Sequence, residues 1–368
     1  MNRIERHILD RYLLRSFASV FGLCLLGSVS LFIIFDLFDR MRIFMKEGAT
    51  VFQAVSYVLF KIPLIVHLML PVAIMVSTLI TLGRLSQLSE VTAMRSCGLS
   101  IIRIARPLFI LGFIAAILAL ISSETIVPWS QQRLDDLYHI QIRKKVEKGV
   151  FNRENFWYRD GKHFLNIGVY ESRTRTIRNL SVLQFDKSFA LIRRIDAESA
   201  IYVRPEIGWV MKNVTEIEPG NENNNQQLRS YNSLPLVLDT KPKDFYLFKQ
   251  TPESMSISDI WAQIQRFNKD GVSTTRSYVE LFSKTAFPLL NFIVVIISVP
   301  FAITSVRSGT MTLPFVGAVA VGFGYYFIHA LSVSFGMAEL LPVVASAWAA
   351  NILFLCLGGY LLAGVEAN

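Results

Sequence analysis

The chain has little of what soluble enzymes use. Only three cysteines stand in 368 residues; Cys24 and Cys356 fall inside long apolar runs and Cys97 in a short loop. The large polar block at mid-chain therefore holds no cysteine and must fold on an apolar core of its own, without disulfides. No glycine-rich phosphate loop ending in Gly-Lys-Ser/Thr is present, no His-Glu-x-x-His, no paired-cysteine motif and no Gly-x-Ser-x-Gly elbow. These absences exclude a P-loop nucleotide site, a zincin, a zinc-ribbon scaffold and an elbow-type serine hydrolase. The five histidines are scattered, so we expect no catalytic residue, no metal ligand set and no cofactor. His67 and His329 fall inside apolar runs, where a lone histidine most simply hydrogen-bonds between helices. Glu280 and Lys284, four apart with the acid first, read as a structural helical ion pair.

What the chain has is hydrophobic length. Six apolar stretches occur in two groups of three, at 13–35, 55–82 and 107–127 and then at 287–303, 313–333 and 342–363. Each is of the order of the roughly 20 residues that cross a bilayer core. The first is longer than a signal-peptide core and has no small-x-small cleavage site after it, so it reads as a retained span. Lys and Arg in short loops set orientation. Arg3, Arg6, Arg11 and Arg15 precede span one, Arg84, Arg95, Arg103 and Arg106 lie between spans two and three, and Arg307 lies between spans four and five. Both termini and these loops are assigned to the cytoplasm. The middle block, after three crossings, is assigned to the outside.

The expected fold is an α-helical integral membrane protein with six transmembrane helices (3+3) and an inserted all-β, jelly-roll-like external domain. The division is 1–128 for the first membrane half with a cytoplasmic helix at about 84–97, 129–255 for the β-domain, 256–276 for a linker helix, and 277–368 for the second half. Alternation in the β-domain puts Leu165, Ile167 and Val169 on one face of a strand, and Leu183 and Phe185 on one face of another. Arg159-Asp160-Gly161-Lys162 and Pro205-Glu206-Ile207-Gly208 read as turns between strands, and the polar run 221–227 reads as a loop. Ser256 and Asp259 ahead of Ile260, Ile264 and Phe267, with Gly271 behind, are the start and stop of an amphipathic helix.

Two features point to binding. Asp36, Asp39, Arg40, Arg42 and Lys46 follow span one, Lys61 lies just inside span two, and Arg133 follows span three. Basic residues on the outer side run against the positive-inside bias. Snorkelling would account for them as anchors; the functional reading is a cationic ring, Arg40, Arg42, Lys46, Lys61 and Arg133, that meets an acidic lipid headgroup. The second feature is the loop after span two, where Leu85, Leu88, Val91 and Met94 recur at helical spacing and Gly98 supplies a stop. Glu90, flanked by Arg84 and Arg95, is placed to dock a partner protein or to lie in the headgroup layer.

This loop resembles a known family. Glu90 followed by Ala93-Met94-Arg95-Ser96-Cys97-Gly98 is similar to the acid before Ala-x-Arg-x-x-Gly in the LptF/LptG lipopolysaccharide export permeases, and three spans, an external jelly roll and three spans is their layout. Pro252-Glu253-Ser254-Met255-Ser256 and Ser283-Lys284 with Pro288 look more like LptG than LptF. The resemblance implies a non-enzymatic half-transporter of the bacterial inner membrane that extracts lipopolysaccharide and passes it to a periplasmic bridge for export to the outer membrane. The partners it implies are an LptF-like paralogous permease, an LptB-like cytoplasmic ATPase dimer that hydrolyses ATP, LptC/LptA-like bridge proteins and lipopolysaccharide, with no nucleic acid. Glu90, with Arg84, Arg95 and Gly98, falls where the family couples to the ATPase; Arg40, Arg42 and Lys46 fall where it meets lipid phosphates; Leu165, Ile167, Val169, Leu183 and Phe185 would line an acyl groove. Two rival classes remain. A membrane enzyme needs a convergent catalytic set that the sequence does not supply, and a receptor would bind ligand with the β-domain and signal through the loop helix.

Overall fold

The computed structural model describes residues 3–142, 156–160, 163–171, 174, 176–186, 190–204, 208–218, 227–236, 254–269, 273–308 and 312–367. The first half comprises α1 (Arg3–Glu47), α2 (Val51–Gln87), α3 (Glu90–Ser96), α4 (Ile101–Glu124), α5 (Ile126–Asp136) and a π-helical turn, Leu137–Ile142. A sheet of β1 (Phe156–Asp160), β2 (His163–Glu171), β3 (Thr176–Phe185), β4 (Leu191–Arg204), β5 (Gly208–Glu218) and β6 (Gln227–Leu236) follows. The second half comprises α6 (Ile257–Lys269), α7 (Thr275–Ala286), a 3-10 turn (Phe287–Leu289), α8 (Leu290–Ser308), α9 (Thr312–Met337) and α10 (Val343–Ala367). Among the described residues six helical segments are long and apolar enough to cross a membrane: Ile8–Glu47, Val51–Gln87, Ile101–Asp136, Thr275–Ile303, Phe315–Met337 and Val343–Ala367.

Local sequence explains the joints. Gly48, at φ +65°, turns the chain out of α1. Thr50 then caps α2 reciprocally with Gln53, accepting from its backbone N–H and donating its own to the side-chain oxygen, so two donors at the helix start are satisfied at once. Ser256 and Asp259 do the same for the linker helix α6, as the sequence predicts. The Glu124 carboxylate, at the end of α4, also accepts from the Ile257 N–H at 2.6 Å. Lys284 donates to the Met255 carbonyl. Glu280 takes Arg276 at 3.1 Å. The strap returning from the β-domain is thus fastened to both membrane halves.

Packing centres on α8. In its span 78% of the most apolar window is buried, against 6% in α1, and Leu290, Ile293, Val295 and Val299 join Ile74, Leu79, Leu82, Ile104 and Leu108 in one cluster. Close approach to α4 depends on Gly112, where an added Cβ would lie 2.8 Å from the Val295 side chain and 3.1 Å from the Asn291 carbonyl oxygen. The helix α1 reaches this core near its N-terminal end, through Leu13 and Phe17. At its C-terminal end Phe44 joins Tyr57, Leu134, Leu137, Tyr138 and Ile142.

Among the described residues the inserted domain forms a β-sheet, as expected, with six antiparallel strands in chain order. Both predicted turns fall between paired strands, closing at Asp160 opposite His163 and at Arg204 opposite Gly208. One face buries Leu165, Ile167, Leu180, Val182, Trp209 and Met211. A crease crosses the sheet at Gly168, Asn179, Glu198 and Asn213, positions that lie between the register pairs on either side. Asn179 and Asn213 have φ +52° and +50°, a conformation that asparagine tolerates better than most residues. Gly168 is required there, since a Cβ would meet that of Asn179 at 2.8 Å. Inward-facing positions change parity at this row: Ile177 is buried before it and Leu180 and Val182 after it.

This corrects the expected groove. Leu165 stands opposite Val182, and Phe164 opposite Leu183, so Leu183 and Phe185 occupy the face opposite to Leu165 and Ile167. There Phe185 packs edge-on against Phe164, ring centroids 5.3 Å apart. Val169 lies beyond the crease, opposite Arg178. The run 221–226 and Gly271 lie outside the described residues.

Candidate functional site

The candidate residues gather at the two ends of α1. At the N-terminal end the loop helix is shorter than its apolar spacing suggests. Arg84 and Leu85 belong to the last turn of α2, and the chain breaks at Leu88 and Ser89 before α3 begins at Glu90. Ser89 has φ +61° and makes no side-chain cap, a conformation that costs a non-glycine residue of order 1 kcal/mol or more. Leu85 and Val91 are buried but Leu88 is exposed, because the break turns it out of the stripe. Gly98, at φ +81°, ends α3 by donating to the Arg95 carbonyl at 2.8 Å. Glu90 is half-buried, and Tyr12 of α1 donates its hydroxyl to the two carboxylate oxygens at 3.2 and 3.4 Å. Arg84 and Arg95 are exposed on either side. Nearby, Glu366 of α10 accepts from the Ile101 N–H at 2.9 Å, and Arg103 faces Asp10 at 3.8 Å.

At the C-terminal end the five predicted cations divide. Lys61 is ion-paired with Asp36, both largely buried at 13 and 15% exposure. Tyr57, one turn before Lys61, donates to the other Asp36 oxygen at 3.0 Å and accepts from Lys61 at 2.9 Å. Arg40 lies over the Tyr138 ring, its guanidinium carbon 4.9 Å from the centroid, a favourable cation–π geometry. Its Nε–H is buried and meets no acceptor among the described residues. Arg42, Lys46 and Arg133 are exposed. The structure thus brings Lys61 and Arg40 together and leaves the other three facing outward. Tyr12, Tyr57 and Tyr138 went unnoticed in the sequence. The four-residue spacing of Tyr57 and Lys61 was a signal for one of them; the other two act across chain separations that no local pattern encodes.

His67 and His329 flank the Phe287 ring, at 5.6 and 6.2 Å between centroids, and His329 stacks on Tyr325. Among the described residues no three His, Cys, Asp or Glu side chains converge as a metal site.

The sequence model for the lipopolysaccharide export system permease LptF/LptG matches residues 11–364. The chain belongs to this family. It is 23% identical over 359 residues to the lipopolysaccharide export system permease protein LptG of Haemophilus influenzae, covering 96% of this chain and 98% of the relative. Similarity to LptG of Escherichia coli K12 is 22% over 329 residues, 87% of this chain and 88% of the relative. The E. coli K12 LptF match is 34% over 76 residues, 21% of each chain. Full-length similarity to LptG, against a partial match to LptF, agrees with the LptG-like motifs in the sequence. The family is a permease component and not a catalytic enzyme, so the permease needs none of the reactive motifs it lacks.

Proposed function

We propose that this chain is the LptG-type half of an ATP-driven transporter that extracts lipopolysaccharide from the bacterial inner membrane and hands it to a periplasmic bridge. A paralogous LptF-like subunit closes the cavity, and an LptB-like ATPase dimer, docked on α3, supplies hydrolysis. Both termini and α3 face the cytoplasm, and the sheet faces the periplasm. The observation that carries the reading is the continuity of α1. One 45-residue helix, about 68 Å long at 1.5 Å per residue, touches the docking acid Glu90 at one end and bears Arg40, Arg42 and Lys46 at the other. It exceeds the bilayer core of about 30 Å, so a displacement at the ATPase side reaches the lipid side without passing through a loop. Arg42, Lys46 and Arg133, being exposed, are the cations free to meet lipid phosphates. The inner face of the sheet, with Leu165 and Ile167, is the acyl-chain path, reached by opening of the sheet.

Reconstitution tests the reading. Vesicles holding this chain, its paralogue and lipopolysaccharide should release lipid to an added periplasmic acceptor only when the ATPase and ATP are both supplied. ATP turnover by a preparation free of the ATPase subunit, or lipid release that ignores ATP, would refute it.

A further inference from the structure

The strap helix α6 is fixed at a definite depth. No charged residue stands between Arg106 and Glu124 on α4, or between Lys284 and Arg307 across α7 and α8. At 1.5 Å per helical residue these uncharged stretches rise about 27 and 34 Å, close to the roughly 30 Å of a bilayer core. Glu124 and Lys284 therefore mark the same boundary on two spans. Both hold the start of α6: the Glu124 carboxylate accepts from the Ile257 N–H at 2.6 Å, and the Lys284 ammonium donates to the Met255 carbonyl. From there α6 runs back along α7, burying Ile260 and Ile264 against Leu281. Trp261 stands edge-on to Tyr278, ring centroids 6.4 Å apart.

Among the described residues the opposite face of α6 is uncovered. Ser258, Trp261, Gln265 and Asn268, at helical spacing, are exposed, and none is charged. Trp261, 48% exposed, lies about 6 Å beyond Ile257 by helical rise. That is inside the interfacial layer of about 5 to 8 Å that separates each side of the hydrocarbon core from water. Trp129, which follows Glu124 on α5, is likewise exposed. An indole joins an apolar body to one N–H donor and collects where hydrocarbon gives way to headgroups.

We propose that the exposed face of α6 is a membrane-interface surface. Trp261 sits among the glycerol and carbonyl groups of phospholipids on the side from which the strap arrives, and Ser258, Gln265 and Asn268 hydrogen-bond the headgroups around it. With no charge on this face, recognition is of the layer and not of one headgroup. The base of the β-domain is thereby held at a fixed height above the bilayer, since α6 is clasped to α4 by Glu124 and packed on α7. Six spans crossing a bilayer suffice for this arrangement, whatever the cargo.

The test uses the full chain with its paralogous subunit in phosphatidylcholine nanodiscs. In a Cys24→Ser, Cys97→Ser, Cys356→Ser background a nitroxide is attached in turn at Ser258→Cys, Gln265→Cys and Asn268→Cys. Collisions with oxygen, which partitions into lipid, are compared with collisions with a water-soluble nickel chelate. Oxygen should dominate at 258, its advantage should shrink at 265, and the chelate should dominate at 268. Trp261 is read in the unlabelled complex through quenching of tryptophan fluorescence by phosphatidylcholine brominated near the headgroup, and Trp261→Phe should lose a share of the quenchable emission. Chelate dominance at all three positions would mean a face open to water. Exclusion of both reagents would mean a face covered by protein, and oxygen dominance throughout would mean a helix sunk in hydrocarbon. Any of these profiles, or quenchable emission unchanged in Trp261→Phe, overturns the proposal.

Discussion

The two ends of α1 hold charge in opposite ways. At the C-terminal end a carboxylate, an ammonium and a phenol are packed together largely out of water. At the N-terminal end one carboxylate is touched by a single hydroxyl on an exposed tyrosine, with two exposed arginines beside it. Burial decides what each arrangement does. Removing one partner of a buried pair leaves an uncompensated charge, whereas an exposed contact is replaced by water at little cost. The buried cluster therefore fixes structure, and the acid at the N-terminal end keeps a face open to water.

Substitutions sharpen that contrast. Lys61→Met should have the largest effect, leaving Asp36 buried and unpaired and lowering stability by about 3 to 5 kcal/mol. Thermal unfolding in detergent reads this, and the double variant with Asp36→Asn should recover most of the loss; a Lys61→Met protein of parental stability would remove the contrast. Glu90→Lys should leave the fold intact but weaken ATPase binding by at least about 2 kcal/mol, the lower range for truncating a docked charge pair. Pull-down with the ATPase measures it, and undiminished retention would take the docking role from Glu90. Tyr12→Phe removes one exposed hydrogen bond and should cost about 0.5 to 1 kcal/mol at most, seen as slightly weaker ATPase retention. Smallest in stability, within about 0.5 kcal/mol for exposed positions, is the pair Arg42→Gln and Lys46→Gln, whose effect should appear instead as lost copurifying lipopolysaccharide.

The sequence was most readable where one physical signal acts locally. Span length outlined six membrane-length helices, and Ser256 with Asp259 marked the linker helix because a capping box is complete within four residues. It was least readable where two signals compete. Leu85, Leu88, Val91 and Met94 keep helical spacing straight through Ser89, whose positive φ splits the run, and nothing about a serine announces that. Alternation in β3 placed Leu183 and Phe185 on one face correctly, yet which face is inward depends on a crease set by Gly168, Asn179 and Asn213 on neighbouring strands. Lys61 read as a free cation because its partner, Asp36, is 25 residues away on another helix, beyond any local pattern.

The proposed division of labour along α1 is separable in a crossed experiment. The complex is purified with Glu90→Lys and, separately, with Arg42→Gln and Lys46→Gln, and both ATPase and lipopolysaccharide are counted per permease. Glu90→Lys should lose the ATPase and keep the lipid, while the double glutamine variant should lose the lipid and keep the ATPase. Loss of the same component in both, or of neither, would mean that the two ends of α1 do not act separately.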